Sequence, residues 1–306
     1  MGPAGGASRI RVTLTGAVAA TACLLAALAG GSSAGGAGRQ LVFAPLDASP
    51  SSENSANWAG YAVTGPADSA TTTATTYTSV TGTWREPTVT CGADDAGDAS
   101  AFWVGLGGFS SASQALEQVG TSADCDPDTG QPSYYAWYEL VPANSVDVPN
   151  FTIKPGDLIT TSVNVIGGTT IEVQVIDRTR HMRFTKELPY ATPDLSSADW
   201  IAEAPSSCDQ FRCRPTGLSD FGTVDFTNIA ARGDSVGGTL TVNPGWTTTS
   251  ISLVPEASGG RGFGFFPGPD TFAGDSSSTA GATPSATSAD GRSFSVQWTA
   301  DSSSSS

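Results

Sequence analysis

The 306-residue sequence predicts an all-β protein, an antiparallel sandwich of two β-sheets. Short runs rich in β-branched and aromatic residues alternate with Gly, Pro, Asp and Asn, which favour turns. Many of these runs alternate apolar and polar residues, as expected for a strand with one buried face. No segment shows the periodicity of a convincing amphipathic helix, so an α/β arrangement is disfavoured.

The predicted strands follow one another along the chain at residues 58–63, 77–84, 101–106, 134–141, 158–165, 170–176, 182–188, 223–230, 248–254 and 294–298. The clearest is the run from Ile171 to Val175, where apolar and polar residues strictly alternate. Alternation places the two kinds of side chain on opposite faces of a strand. The prediction is therefore a set of half-buried antiparallel strands.

The ends of the chain differ in composition from its middle. Arg9 and Arg11 precede an apolar run over residues 12–28, and Ala27 and Ala29 form an A-x-A pattern. These features are typical of a secretory signal peptide; the alternative, a membrane anchor, fits less well because the run is short and contains Thr and Gly. We expect a signal peptide at 1–29, a flexible segment or short propeptide at 30–53, one folded domain at 54–299 and a Ser-rich tail at 300–306. The expected location is extracellular, without membrane association once the signal is removed.

Charge narrows the range of partners. The chain has 29 acidic against 14 basic residues, a net charge of −15. Nucleic acid and anionic membranes would be repelled, so neither is an expected partner. Charged residues make up only 14 % of the chain, so few surface carboxylates have cationic partners to lose on protonation. This composition suits an acidic medium.

Five cysteines are present, and Cys23 lies inside the predicted signal peptide. The remaining even number in an exported chain indicates disulfides, with three possible pairings. We favour Cys91 with Cys125 and Cys208 with Cys213, the second closing a tight loop. A zinc site would be the alternative, but the sequence has no C-x-x-C and a single histidine, so no metal and no cofactor is expected.

Several catalytic arrangements lack their signatures. His181 is the only histidine and lies between basic residues, so we interpret it as a surface strand residue rather than a triad member. No H-E-x-x-H or G-x-S-x-G is present. Asp128-Thr129-Gly130 has no second copy to form a carboxylate pair, and it is predicted to be a turn.

Five short segments that contain aromatic residues, carboxylates or both follow one another along the chain: NWAGY at 57–61, FWVGLGG at 102–108, ALEQVG at 115–120, YAWYEL at 135–140 and ADWIAEAP at 198–205. Together they resemble the glutamic peptidases, also called eqolisins. One hexapeptide would be weak evidence, whereas five in register are specific. The resemblance covers roughly residues 57–205.

The resemblance implies a concanavalin A-like sandwich of the lectin or glucanase type, whose concave face holds polypeptide substrates. It implies that Gln118 and Glu203 are the catalytic pair and that Trp58 and Trp103 pack beside the substrate. Glu139 is implied to be a supporting carboxylate near the cleft. The protein is expected to be a monomer. One departure is notable, because fungal members carry an acidic residue in W-V-G-x-D-G where this chain has Gly107.

A Gln/Glu pair is chemically sufficient for amide hydrolysis. Glu203 can take a proton from water as general base and return it to the leaving amine as general acid. Gln118 can donate a hydrogen bond to the oxyanion without titrating, so it keeps working in acid. A carboxylate stays partly ionised where imidazole is fully protonated, so an acidic pH optimum is expected.

Two alternatives from other classes remain open. A carbohydrate-binding module or glycoside hydrolase on the same kind of sandwich would use tryptophans against sugars, but a retaining hydrolase needs two closely spaced carboxylates, and no E-x-D-x-x-E run is present. A non-catalytic adhesion domain would suit the acidic surface and the serine tail. In that case neither Gln118 nor Glu203 would matter to activity.

Overall fold

The computed structural model describes residues 51–66, 75–110, 113–208, 213–254 and 280–300. The predicted signal peptide, most of the segment at 30–53 and the tail beyond residue 300 lie outside these ranges. Within them, all regular secondary structure is β-strand. The described ranges contain no helix that is long and apolar enough to cross a membrane.

Eighteen strands are formed: β1 Ser51–Ser55, β2 Trp58–Thr64, β3 Tyr77–Arg85, β4 Ala101–Gly107, β5 Leu116–Cys125, β6 Pro132–Val141, β7 Val146–Thr152, β8 Leu158–Ile166, β9 Thr170–Asp177, β10 Met182–Pro189, β11 Ser197–Glu203, β12 Ser206–Cys208, β13 Cys213–Pro215, β14 Thr223–Gly233, β15 Val236–Gly238, β16 Thr247–Leu253, β17 Gly281–Pro284 and β18 Phe294–Thr299. All ten strands predicted from the sequence are present, with ends that differ by at most a few residues.

The strands form one hydrogen-bonded path in the order β10-β9-β8-β3-β14-β18-β17-β16-β2-β11-β4-β5-β6-β7. All pairs along it are antiparallel, and β1 adds to β16 in parallel. Strand β14 joins two halves of this path, one from β10 to β3 and the other from β18 to β7. Its first residues pair with β18, and its later residues pair with β3, with a register shift after Thr227. The all-β prediction is confirmed, while the two-sheet concanavalin A-like type stays a prediction.

The main core lies between the two halves of this path. Strands β3, β8 and β9 pack over β4, β5 and β11, and they bury large side chains such as Trp84, Phe102, Trp200 and Phe226. The alternation in β9 is confirmed, because Ile171, Val173 and Val175 are fully buried. Burial of aromatic and branched side chains is the main favourable contribution to such a fold.

A second, smaller apolar cluster lies on the opposite face of β2, β11, β4, β5 and β6. It includes Trp58, Trp103, Trp137 and Ile201 from these strands, together with Ile251 of the neighbouring strand β16. Because side chains alternate between faces, these five strands contribute one set of residues to the main core and another to this second face. The candidate catalytic residues lie on the second face.

Two loops bear on the sequence predictions. His181 lies in the turn between β9 and β10 with φ of 56°, so the prediction of a strand position is wrong, although the residue is exposed as expected. The turn replaces a strand here because β9 and β10 are adjacent antiparallel strands that need a tight connection. The predicted turn at Asp128–Gly130 is confirmed, since the Asp126 carboxylate accepts hydrogen bonds from the backbone of Asp128 and Thr129.

The predicted disulfide between Cys91 and Cys125 is present. Cys125 is the last residue of β5, so the bridge ties the loop before β4 to the strand that carries Gln118. The backbone also pairs Cys208 directly with Cys213 across the two-stranded β12–β13 ladder. Side chains there lie outside the described part of the structure, so the second disulfide stays a prediction.

Candidate active site

Gln118 and Glu203 lie on the same face of the sheet, on strands separated only by β4. The register pairs Gln118 of β5 with Gly105 of β4, and Glu203 of β11 with Ala101 of β4. Trp103 lies between these two positions along β4. Since residues two apart on a strand share a face, Trp103 is the diagonal neighbour of both candidate residues.

The Glu203 carboxyl is held by nitrogen donors from two residues. Trp103 Nε1 donates to Oε2 at 2.8 Å, and Asn57 Nδ2 donates to Oε1 at 3.0 Å. Each oxygen therefore has a fixed partner, which fixes the orientation of the carboxyl plane.

The environment of Glu203 favours its neutral form. Burial raises the pKa of Glu203 to about 8, the hydrogen bond from Trp103 lowers it, the charge of Glu139 raises it, and the nearby side chains of Trp58 and Asn57 lower it. Desolvation destabilises the charged carboxylate by more than these donors stabilise it. The protonated carboxyl is therefore favoured over the ionised one.

Trp58 and Trp103 form an edge-to-face pair with ring centroids 4.9 Å apart. Both indoles are fully buried. Gly105 makes room for this packing, because a Cβ atom there would lie 2.9 Å from the Trp103 ring. The structure thus gives Trp103 a direct contact with Glu203 and packs Trp58 against Trp103, while the packing of both against substrate stays a prediction.

Glu139 lies directly opposite Gln118 across the β5–β6 pair. Gln118 Nε2 donates to Glu139 Oε2 at 2.6 Å, and burial raises the pKa of Glu139 while this hydrogen bond lowers it. A primary amide has two N–H groups, so the contact with Glu139 leaves the second N–H to donate elsewhere. Within the described ranges, the other atom of the amide, Oε1, has no hydrogen-bond partner.

Five adjacent strands therefore bring together all five motif segments, which contain Asn57, Trp103, Gln118, Glu139 and Glu203. The described residues contain no group of three or more His, Cys, Asp or Glu side chains placed to hold a metal. Comparison with known proteins gives the decisive observation: the pattern of the Peptidase A4 family matches residues 56–252.

The chain belongs to the Peptidase A4 family. It is a glutamic peptidase, as the resemblance implied. Aspergillopepsin-2 of Aspergillus niger is 29 % identical over 217 residues, which cover 63 % of this chain and 70 % of that protein.

Solved structures agree at the level of the fold. Scytalido-glutamic peptidase with a transition state analog inhibitor is similar with a TM-score of 0.59 at 20 % identity, covering 80 % of this chain and 98 % of that one. SCP-B, an eqolisin in complex with the tripeptide Ala-Ile-His, gives a TM-score of 0.51 at 19 % identity with the same coverage.

This Peptidase A4 member departs from the fungal pattern at Gly107, and the structure shows what lies there. Gly107 has φ of +75°, and a Cβ atom would fall 2.4 Å from the carbonyl oxygen of Asp194 and 2.8 Å from its carboxyl carbon. Asp194, from the loop before β11, accepts hydrogen bonds from the backbone of Gly108 and the hydroxyl of Ser113. A carboxylate from a distant segment therefore lies against Gly107.

Sequence reasoning missed one residue of this site. Asn57 belongs to a motif segment but was not predicted to contact Glu203, to which it donates directly. Its position next to Trp58 is the signal that could have identified it. The neighbour of Gly107, Asp194, has no such signal, because it lies outside all five motif segments and is brought there only by the fold.

Proposed function

We propose that this glutamic peptidase is an acid-active endopeptidase in which Gln118 and Glu203 carry out the chemistry. The single observation that supports this most is the Glu203 carboxyl, held on a shared face with Gln118 by nitrogen donors from Trp103 and Asn57. Such preorganisation is what hydrolysis of an unactivated amide requires. The polypeptide substrates follow from the family.

Gln118 would stabilise the oxyanion. One N–H of its amide donates to Glu139, which holds the side chain in place. The second N–H would donate to the carbonyl oxygen of the scissile bond as negative charge develops there. An amide donor does not ionise, so this contribution would be the same across the acidic range.

Glu203 would move the protons. The residues alone suggest that Glu203 acts first as a general base and then as a general acid. Its raised pKa favours a different order of proton transfer, because in acid few molecules have an ionised Glu203 that could act first as a base. One oxygen of the protonated carboxyl would give its proton to the amide nitrogen while the other oxygen takes a proton from the attacking water. The C–O bond forms and the C–N bond breaks, the carboxyl ends with one proton, and the products are a carboxylic acid and a neutral amine. Activity would then fall as pH rises and the carboxyl ionises.

We further propose export, an extracellular location, a monomeric state and a lectin-like two-sheet topology for the folded domain. The A-x-A pattern after an apolar run supports export. The fold of the two structural relatives supports the topology.

The test is cleavage of an unfolded protein substrate between about pH 2 and pH 8 by wild type, Glu203→Gln and Gln118→Ala. We expect activity on the acidic side that resists pepstatin and falls by about 100-fold or more in each variant, the size measured for a lost oxyanion donor. Ser219→Ala, a buried change away from the face, serves as the control and should keep activity. Full activity of Glu203→Gln would refute the proposal, and binding of glycans without proteolysis would favour the carbohydrate module instead.

A further inference from the structure

The N-terminal strand β1 ends beside the catalytic face. It pairs in parallel with β16, and the register brings Ser55 opposite Leu253. The backbone carbonyl of Ser55 accepts from Val254 N at 2.9 Å, so this end of β1 is fixed to the sheet. Ser55 is fully buried and begins the tight connection to β2.

The hydroxyl of Ser55 has its full set of hydrogen bonds. Its oxygen accepts from the backbone N–H of Asn57 at 3.2 Å and of Trp58 at 3.0 Å. The third partner is Asn57 Oδ1 at 3.2 Å. A hydroxyl has two acceptor sites and one proton, and both backbone groups can only donate. The hydroxyl proton must therefore be directed to Asn57 Oδ1.

This direction determines which way the Asn57 amide faces. With Oδ1 bound to the Ser55 proton, Nδ2 points to Glu203 Oε1 at 3.0 Å. In the reverse orientation, the amide N–H would meet a hydroxyl oxygen whose acceptor sites are already used, and the amide oxygen would face the carboxyl. The main chain adds a second link, because Ala204 N donates to Asn57 O at 2.8 Å.

We propose that Ser55 and Asn57 are positioning residues for Glu203, with Ser55 orienting the Asn57 amide and Asn57 orienting the carboxyl. The proposal rests on the catalytic role of Glu203 given above. It makes the pairing of β1 with β16 part of the active site, because the strand that carries Ser55 must be in place before the amide is oriented. Ser55 acts only through the Asn57 amide, and Asn57 acts through its hydrogen bond to Glu203 Oε1.

The direct readout is the titration of Glu203 in the full-length protein, monitored by NMR of a 13C-labelled side-chain carboxyl and of the Trp103 indole N–H. Glu139 on β6 is the titratable group that acts on Glu203, and it is unchanged in all variants. Asn57→Ala removes the amide that donates to the Glu203 carboxylate, and Ser55→Ala removes the hydroxyl that orients this amide. Both should raise the Glu203 titration midpoint, by about one pH unit for Asn57→Ala and less for Ser55→Ala.

Kinetics give the second readout. We expect kcat to fall about tenfold in Ser55→Ala with KM nearly unchanged, since the loss is of carboxyl geometry and not of substrate contacts. Ser55→Thr, which keeps the hydroxyl, should restore most of the loss. Ser219→Ala is the matched control, because Ser219 is a buried serine that bonds Ala123 O and Ser100 instead.

The outcomes separate the proposals. An unchanged Glu203 titration in folded Ser55→Ala and Asn57→Ala overturns the positioning role, whatever the activity. If the titration shifts as expected but Glu203→Gln keeps full proteolytic activity, the positioning holds and the catalytic role of Glu203 fails. If Ser55→Ala and Ser219→Ala lose kcat equally, the effect is one of general stability and the proposal is rejected.

Discussion

The charge of Glu139 acts on Glu203 across the proposed catalytic face, although the two residues lie on different strands. The charge of Glu139 is one of the causes that hold the pKa of Glu203 high. Replacing Glu139 by Gln removes that charge but keeps an oxygen that can accept from Gln118. The pKa of Glu203 should therefore fall, because its ionised form is no longer repelled.

The expected result of Glu139→Gln is that the alkaline limb of the pH–rate profile moves to lower pH, by about one unit or less, with kcat at low pH within about threefold of wild type. Initial rates of peptide cleavage from about pH 2 to pH 9 measure this. Asp147→Asn, also on the β6–β7 edge, is the control and should leave the limb in place. A limb that moves to higher pH would contradict the assigned interaction.

At the scale of elements, the strands that carry the proposed catalytic pair, β5 and β11, are among the eight that the sequence pattern did not predict. In β5 and β11 nearly every residue is buried. Both faces of each strand are covered, one by the main core and the other by the second apolar cluster, so apolar and polar residues do not alternate. The ordered motifs predicted that these segments carry functional residues, whereas the missing alternation of apolar and polar residues gave no prediction of a strand.

The junction between β4 and the loop before β11 depends on the absence of a side chain at Gly107. Ala at this position would combine a left-handed backbone with contact to the Asp194 carbonyl, a backbone atom that cannot swing aside. Gly107→Ala should lower the free energy of unfolding by roughly 2–4 kcal/mol. Chemical denaturation at the pH of maximal stability measures it.

Gly130→Ala is the matched control for that change. Gly130 has a similar φ of +65°, but no atom lies within 4 Å of its Cβ position. The backbone cost alone applies there, about 1 kcal/mol. Equal losses in the two variants would show that the close approach of Asp194 contributes nothing.

The whole molecule contains many buried carboxyl groups with raised pKa values. Burial raises the pKa of Glu86 to about 8, of Glu117 to about 9 and of Asp124 to about 6, and it raises the pKa of Asp199 well above its ordinary value. Each group ionises at lower pH in the unfolded chain than in the folded one. Their contribution to stability is complete below about pH 4 and is lost as pH rises through the folded pKa values.

We therefore expect the melting temperature to be highest near pH 3–4 and to fall between about pH 5 and pH 9, helped by the repulsion within a chain of net charge −15. Glu86→Gln should make this fall shallower. Its amide oxygen can still accept from Thr121 Oγ1, which now donates to Glu86 at 2.5 Å, but the side chain cannot ionise. At pH 8 the variant should melt several degrees above wild type.

Differential scanning calorimetry across this pH range measures the effect. Glu187→Gln, an exposed change on the edge strand β10, is the control and should leave the pH dependence unaltered. A melting temperature that rises from pH 4 to pH 8 would contradict the prediction.

The sequence by itself determined the all-β class, ten of the strands, one cysteine pair and the family, because these depend on local alternation, turn residues and ordered motifs. Only the tertiary structure decided that β4 separates the strands of Gln118 and Glu203, that Asp194 lies against Gly107, and that Ser55 reaches Glu203 through Asn57. These are contacts between residues far apart in the chain. Local patterns report which face of a strand is buried, whereas strand order is set by long-range pairing that no local pattern contains.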